Sequence, residues 1–131
     1  MKAKNTTRLI ATALLALSLS QVATAQLDFQ RTITVGGIEL ITLRGDNEQK
    51  LVKRCDTLYE RLPWILSDTS LTANDINIRV TTNELTIFVK NRLFVTITDI
   101  DAKYNQNSME KQAEIWKKSL SNSLPLVKVL R

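Results

Sequence analysis

The 131-residue sequence contains no histidine, which removes the commonest general base, the usual Ser-His-Asp triad and most zinc sites. It has one cysteine, Cys55, so no disulfide can close within the chain. The spacing of its neighbours puts that thiol on the apolar face of a helix, where a buried, inert thiol is the expected outcome. The serines and threonines have no base at a motif spacing, and no glycine-rich phosphate loop occurs. The expectation is a non-enzyme with no catalytic residues, no cofactor and no resident metal.

The first 25 residues have the layout of a secretory signal. Lys2, Lys4 and Arg8 form the charged region, residues 9–20 the apolar region, and Ala23-Thr24-Ala25 a small-residue cleavage site. Twelve apolar residues are too few for a bilayer that needs about 20, so the mature chain is expected to lack a transmembrane segment. Cleavage would leave a short leader over residues 26–31, one domain over residues 32–125 and a tail over residues 126–131. The expected location is periplasmic or otherwise exported. The signal carries three of the 18 basic residues and none of the 13 acidic ones, so the remainder has a net charge of only +2. Such a mild balance argues against a nucleic-acid partner.

The longest strict alternation runs from Ile76 to Thr98. A two-residue turn at Thr82-Asn83 sets Val80 opposite Leu85 and Ile78 opposite Ile87. A three-residue loop, Lys90-Asn91-Arg92, with Asn91 or Arg92 left-handed, then sets Val89 opposite Leu93 and Phe88 opposite Phe94. Upstream, Ile33 and Val35 are separated from Ile38 and Leu40 by Gly36-Gly37, a hairpin turn requiring positive φ. The apolar phase slips at Ile41, which predicts a bulge or a strand end that turns to feed the next element.

Asp46 with Gln49 predicts a capped helix start, and Leu51, Cys55, Leu58 and Leu62 make its stripe. Pro63 should end or kink this helix near Leu62, leaving Trp64, Ile65 and Leu66 as an apolar knot closing one end of the core. Lys50, Lys53, Arg54 and Arg61 read as a solvated mixed face with Asp56 and Glu60. A last helix, with Asn107 and Glu110 as its capping pattern, carries Met109, Ala113, Trp116 and Leu120 until Pro125 stops it. The sum is an α+β protein, a two-layer sandwich of an antiparallel sheet with two helices on one face, in the order ββαβββα.

Two candidate sites emerge. From Asp99, oxygen-bearing residues Asp99, Asp101, Asn105, Asn107 and Glu110 fall at positions 1, 3, 7, 9 and 12 of a calcium-loop template. The template fails at Lys103, which brings a positive charge, and at Tyr104, where the turn needs glycine. A small-ligand or metal site on this loop is the alternative reading. The preferred site is the sheet face away from the helices, where Phe88 and Phe94 would form an apolar island rimmed by Arg79, Lys90 and Arg92. It would bind an envelope protein or a second copy.

The runs KRCDTLYERLPWIL, VTITDIDA and EKQAEIWKKSL, in this order after an exported leader, resemble the extracytoplasmic N-terminal domain preceding the membrane part of some bacterial small-conductance mechanosensitive channels, especially cyanobacterial-type ones. The resemblance spans residues 33–124. Asn105-Gln106-Asn107 stands where that family tends to have glycine, and no pore-forming segment is present in the sequence. What the resemblance implies is a free-standing relative of an accessory domain, without conduction.

Overall fold

The computed structural model describes residues 28–129. The expected signal, residues 1–25, lies outside the described residues, as do residues 26, 27, 130 and 131. Strands β1 (Phe29–Val35) and β2 (Ile38–Gly45) are followed by helix α1 (Glu48–Leu66) and a 3₁₀ turn at Ala73–Asp75. Then come β3 (Ile76–Thr81), β4 (Glu84–Val89), β5 (Arg92–Ile97), a short helix α2 (Asp99–Tyr104) and helix α3 (Met109–Val129). The class is α+β, as expected. The strands form two antiparallel sheets rather than one, β1-β2 and β3-β4-β5. Strand β1 already starts at Phe29, inside the stretch expected to be leader.

Turn chemistry sets both early hairpins. Gly36 and Gly37 have φ of 57° and 81°, and Thr82 and Asn83 have 45° and 67°. Two successive residues of positive φ reverse the chain with the twist that flanking strands require. The β3–β4 register follows, with Ile78 opposite Ile87 and Val80 opposite Leu85. Burial fades toward this turn. Ile76 is enclosed, Ile78 half-buried, and Val80 is 76% exposed, so the hairpin tip projects beyond the core.

The third hairpin differs from the expected one. Its loop has two residues, Lys90 and Asn91, and Lys90 takes the left-handed conformation with φ 55°. Ile87 still faces Val95, but Phe88 faces Leu93 and Val89 faces Arg92, so Phe94 is an extra residue bulged out of the ladder. The expected bulge in the first hairpin is present as well: Ile33 faces Ile41 while Thr34 faces Glu39, and Leu40 is the extra residue. A bulge frees consecutive residues from alternation, and Leu40 with Ile41, like Phe94 with Val95, are all buried. Each bulged carbonyl is claimed by a helix. Ser119 Oγ of α3 donates to Leu40 O, and Arg61 Nη1 of α1 donates to Phe94 O at 2.7 Å.

Both prolines sit inside helices instead of ending them. Proline's φ suits a helix; it removes one donor and crowds the preceding turn. Beyond Pro63, Ile65 and Leu66 are buried, and beyond Pro125 so is Val127; this burial offsets that cost. The expected tail is therefore helical through Val129. The helix starts also differ: Asn47, not Asp46, caps α1 by accepting from Lys50 N, while Ser108 Oγ rather than Asn107 accepts from Lys111 N at the start of α3. Helix α1 packs on β1, β2 and β5, and α3 on β2 through β5, around one continuous core.

Strand β5 is an edge of its sheet, and α1 closes that edge with charge. Arg54 Nη2 donates to Thr96 O at 2.7 Å, two residues from the Phe94 carbonyl held by Arg61. Arg54 and Arg61 are thus turned inward, a correction to the solvated face expected for them. Strand β3 is the opposite edge.

Candidate functional site

Asp101 is the most heavily bonded of the expected ligand residues, and it is fully buried, at 0% exposed. Its carboxylate accepts from Arg54 at 2.6 and 3.0 Å, from Arg44 N at 2.8 Å, from Thr98 N at 3.0 Å and from Thr98 Oγ1 at 2.8 Å. Thr98 and Asp101 form the capping box that starts α2. The same carboxylate joins β2, α1 and the end of β5, occupying the place where a neighbouring strand would bond to Arg44. Its oxygens are spent on these donors. Asp99 and Glu110 are exposed in the first turns of different helices, so the five template residues do not gather around one point. Among the described residues, no three acidic or cysteine side chains come together as a metal-ligand set.

Asn105 and Asn107 have another role. Both donate from Nδ2 to Gln112 Oε1, at 3.0 and 3.2 Å, and Asn105 also donates to Asp101 O and accepts from Arg44 Nη2. These amides form one side of a cleft of about 380 Å³ between the β1–β2 hairpin and the first half of α3. Gln112 did not stand out in the sequence. Its amide bonds reach back five and seven residues across a turn, a spacing with no local signature.

The expected sheet-face island is dispersed. Phe94 is 0% exposed and belongs to the core, because the bulge turns it inward, so it cannot centre a surface. Phe88 is half-buried under the Arg79 guanidinium, 4.4 Å from the ring centroid, while Arg79 Nη2 also donates to Asn91 Oδ1 and Lys90 O. Lys90 leaves this group to pair with Asp68 at 2.7 Å and to donate to Ser70 Oγ. The Lys90 ammonium, with help from Ser70, holds the Asp68 carboxyl well below the usual carboxylate range, and Asp68 in turn raises Lys90.

Arg92 lies over Trp64, 5.2 Å from the ring centroid, and this pair was not anticipated. Trp64 is 64% exposed rather than part of a core-closing knot, although Ile65 and Leu66 beside it are buried. The stripe Leu58, Leu62, Ile65 contains the signal: at 100° per residue, Trp64 lies about 200° around the helix from Leu62. The Trp64–Arg92 ridge separates two grooves of about 180 and 260 Å³. Lys90, Asp68 and Leu71 line one, Arg61 and Leu93 the other, and Ile65 floors both. Neither Arg61 nor Arg92 has a carboxylate partner among the described residues.

Cys55 is buried, as the stripe implied, and desolvation raises its thiol pKa. No described helix is long and apolar enough to cross a membrane. No curated protein and no solved structure matches the chain. Residues 32–125, from within β1 to Pro125 in α3, match the family model described as Domain of unknown function (DUF8459), and the chain belongs to that family.

Proposed function

We propose that this protein is a non-enzymatic interaction module of the cell envelope that docks an acidic protein segment against the Trp64–Arg92 ridge. The observation carrying this reading is an indole two-thirds exposed on a helix otherwise well packed, stacked with an arginine and grooved on both sides. Tryptophan and arginine are the residues most enriched where binding energy concentrates. The uncompensated Arg61 and Arg92 favour a carboxylate next to an apolar side chain, which would fill a groove while its charge meets a guanidinium. The signal-like leader supports an exported location, and the resemblance to the domain preceding small-conductance channels supports an accessory role there.

The test is affinity capture from an envelope fraction with the parent protein, with Trp64→Ala and with Arg92→Glu. Both positions are exposed, so both variants should fold. The expected result is a protein retained by the parent, lost by both variants, and released as salt rises toward 1 M, where charge interactions are screened within about 3 Å. Equal retention by all three would refute the ridge as the docking surface. Retention of nothing by the parent would refute the module.

A further inference from the structure

The cleft between the β1–β2 hairpin and α3 lies apart from the Trp64 ridge and shares no residue with it. At about 380 Å³ it falls within the range of small-molecule sites, roughly 300–1,000 Å³. Each side mixes apolar and polar groups: the hairpin contributes Leu40 and Ile41 with the hydroxyls of Thr32 and Thr42, and the helix side contributes Ile115 and Trp116 with the amides of Asn105, Asn107 and Gln112. Of the apolar residues, Ile115 is 42% exposed, whereas Leu40, Ile41 and Trp116 are buried. No lysine or arginine lines it, and Glu39 at the strand is its only ionisable group.

The polar groups are held in place before any ligand arrives. Gln112 is 2% exposed, and its Oε1 is fixed toward the two asparagine Nδ2 groups. That orientation assigns its Nε2 hydrogens to the opposite side of the amide. Asn107 spends one Nδ2 hydrogen on Gln112, and its Oδ1 remains an acceptor. Thr32 and Thr42 share one hydrogen bond at 2.8 Å, which leaves one hydroxyl hydrogen and several lone pairs between them. The cleft thus offers uncharged donors and acceptors beside the exposed Ile115, with Glu39 as its one carboxylate.

We propose that this cleft binds a single pyranose ring, with its C–H groups against Ile115 and the hydroxyls among the amides and threonines. A pyranose carries C–H groups and a rim of hydroxyls that each donate and accept, which suits a cleft of uncharged donors and acceptors beside an exposed isoleucine. An anion would find no cation here, and an apolar ligand would strand the buried amides without partners.

The experiment is a titration followed by the side-chain amide resonances of Asn105, Asn107 and Gln112 and the indole N–H of Trp116. The probes are glucose, galactose and N-acetylglucosamine, each also as a soluble tetramer, with citrate as a charged control. The expected result is saturable shifts at these groups for at least one sugar. A monomer as effective as its tetramer would assign the site to free sugar, and a much tighter tetramer to a sugar within a polysaccharide. Asn107→Ala and, independently, Thr42→Val should each weaken binding about tenfold, the effect of one lost hydrogen bond near 1.4 kcal/mol. Two variants keep the test decisive if one fails to fold. Absence of shifts for every sugar up to roughly tens of millimolar, weaker than the affinity of any useful site, would overturn the proposal. So would shifts with citrate alone.

Discussion

Replacing Asp101 with alanine should be the most damaging single change at the junction of the two sheets. The carboxylate is fully buried and accepts five hydrogen bonds, two of them from Arg54. Its removal strands a guanidinium whose side chain is only 20% exposed, leaving it the carbonyls of Thr96 and, at 3.5 Å, Arg44, and orphans the backbone N–H groups of Arg44 and Thr98. Breaking one partner of a buried ion pair costs about 3–5 kcal/mol. A domain of this size has a total stability of about 5–15 kcal/mol, so the variant would retain a fraction of it. At about 4–8 °C per kcal/mol, the melting temperature should fall by roughly 12–40 °C. Urea unfolding followed by tryptophan fluorescence measures the change, with an unaltered slope expected. The double variant Asp101→Leu with Arg54→Met should be less destabilised than Asp101→Ala alone, because no charge is left without a partner. An Asp101→Ala midpoint within about 1 kcal/mol of the parent would refute the reasoning.

Three further outcomes are expected. Phe94→Ala should destabilise by about 3–5 kcal/mol, whereas Phe88→Ala should lose only a partly exposed ring and a cation–π contact of about 0.5–1 kcal/mol; equal urea midpoints would place the bulge wrongly. The Asp68 pKa is depressed in the folded state, so the stability contributed by the Asp68–Lys90 pair is present above the usual carboxylate range and fades as pH falls below it. The Lys90 pKa is raised, so the same contribution is lost again as pH rises through the folded lysine value. In Lys90→Met, the NMR titration midpoint of Asp68 should move up; an unmoved midpoint would credit Ser70 alone. Finally, Thr82 is β-branched at φ 45°, a conformation that costs about 1–2 kcal/mol for most L-residues but less for asparagine. Thr82→Asn should therefore raise the melting temperature, and a lower one would mean the Thr82 side chain makes a compensating contact.

The parts of the fold that could be read in advance are those where a local rule leaves one answer. Gly36-Gly37 and Thr82-Asn83 admit two-residue turns, and period-two alternation then permits one register on either side. Around Phe94 three consecutive apolar residues, Leu93, Phe94 and Val95, make alternation silent about which residue is extra, and the loop length was misjudged with it. Pro63 and Pro125 obey a local rule that burial of residues beyond them overrides. At the candidate sites, Asn105 and Asn107 were singled out for their oxygens, yet they act chiefly through their nitrogens on Gln112. Arg92 was placed at the rim of one aromatic group and belongs to another, because the packing of α1 against β5, not the sheet alone, decides where its side chain lies.

The guanidinium groups along β5 also bear on how copies of this protein can meet. A sheet that extends without limit from molecule to molecule needs two free edges on each, one to receive a strand and one to offer. Arg54 and Arg61 occupy acceptors on one side of the three-stranded sheet, so a newcomer there would have to displace two charge-assisted bonds before making its own. Only the β3 side is left for strand addition. Association through this sheet can therefore join two molecules edge to edge and then has nowhere to continue: α1 makes this sheet a chain terminator.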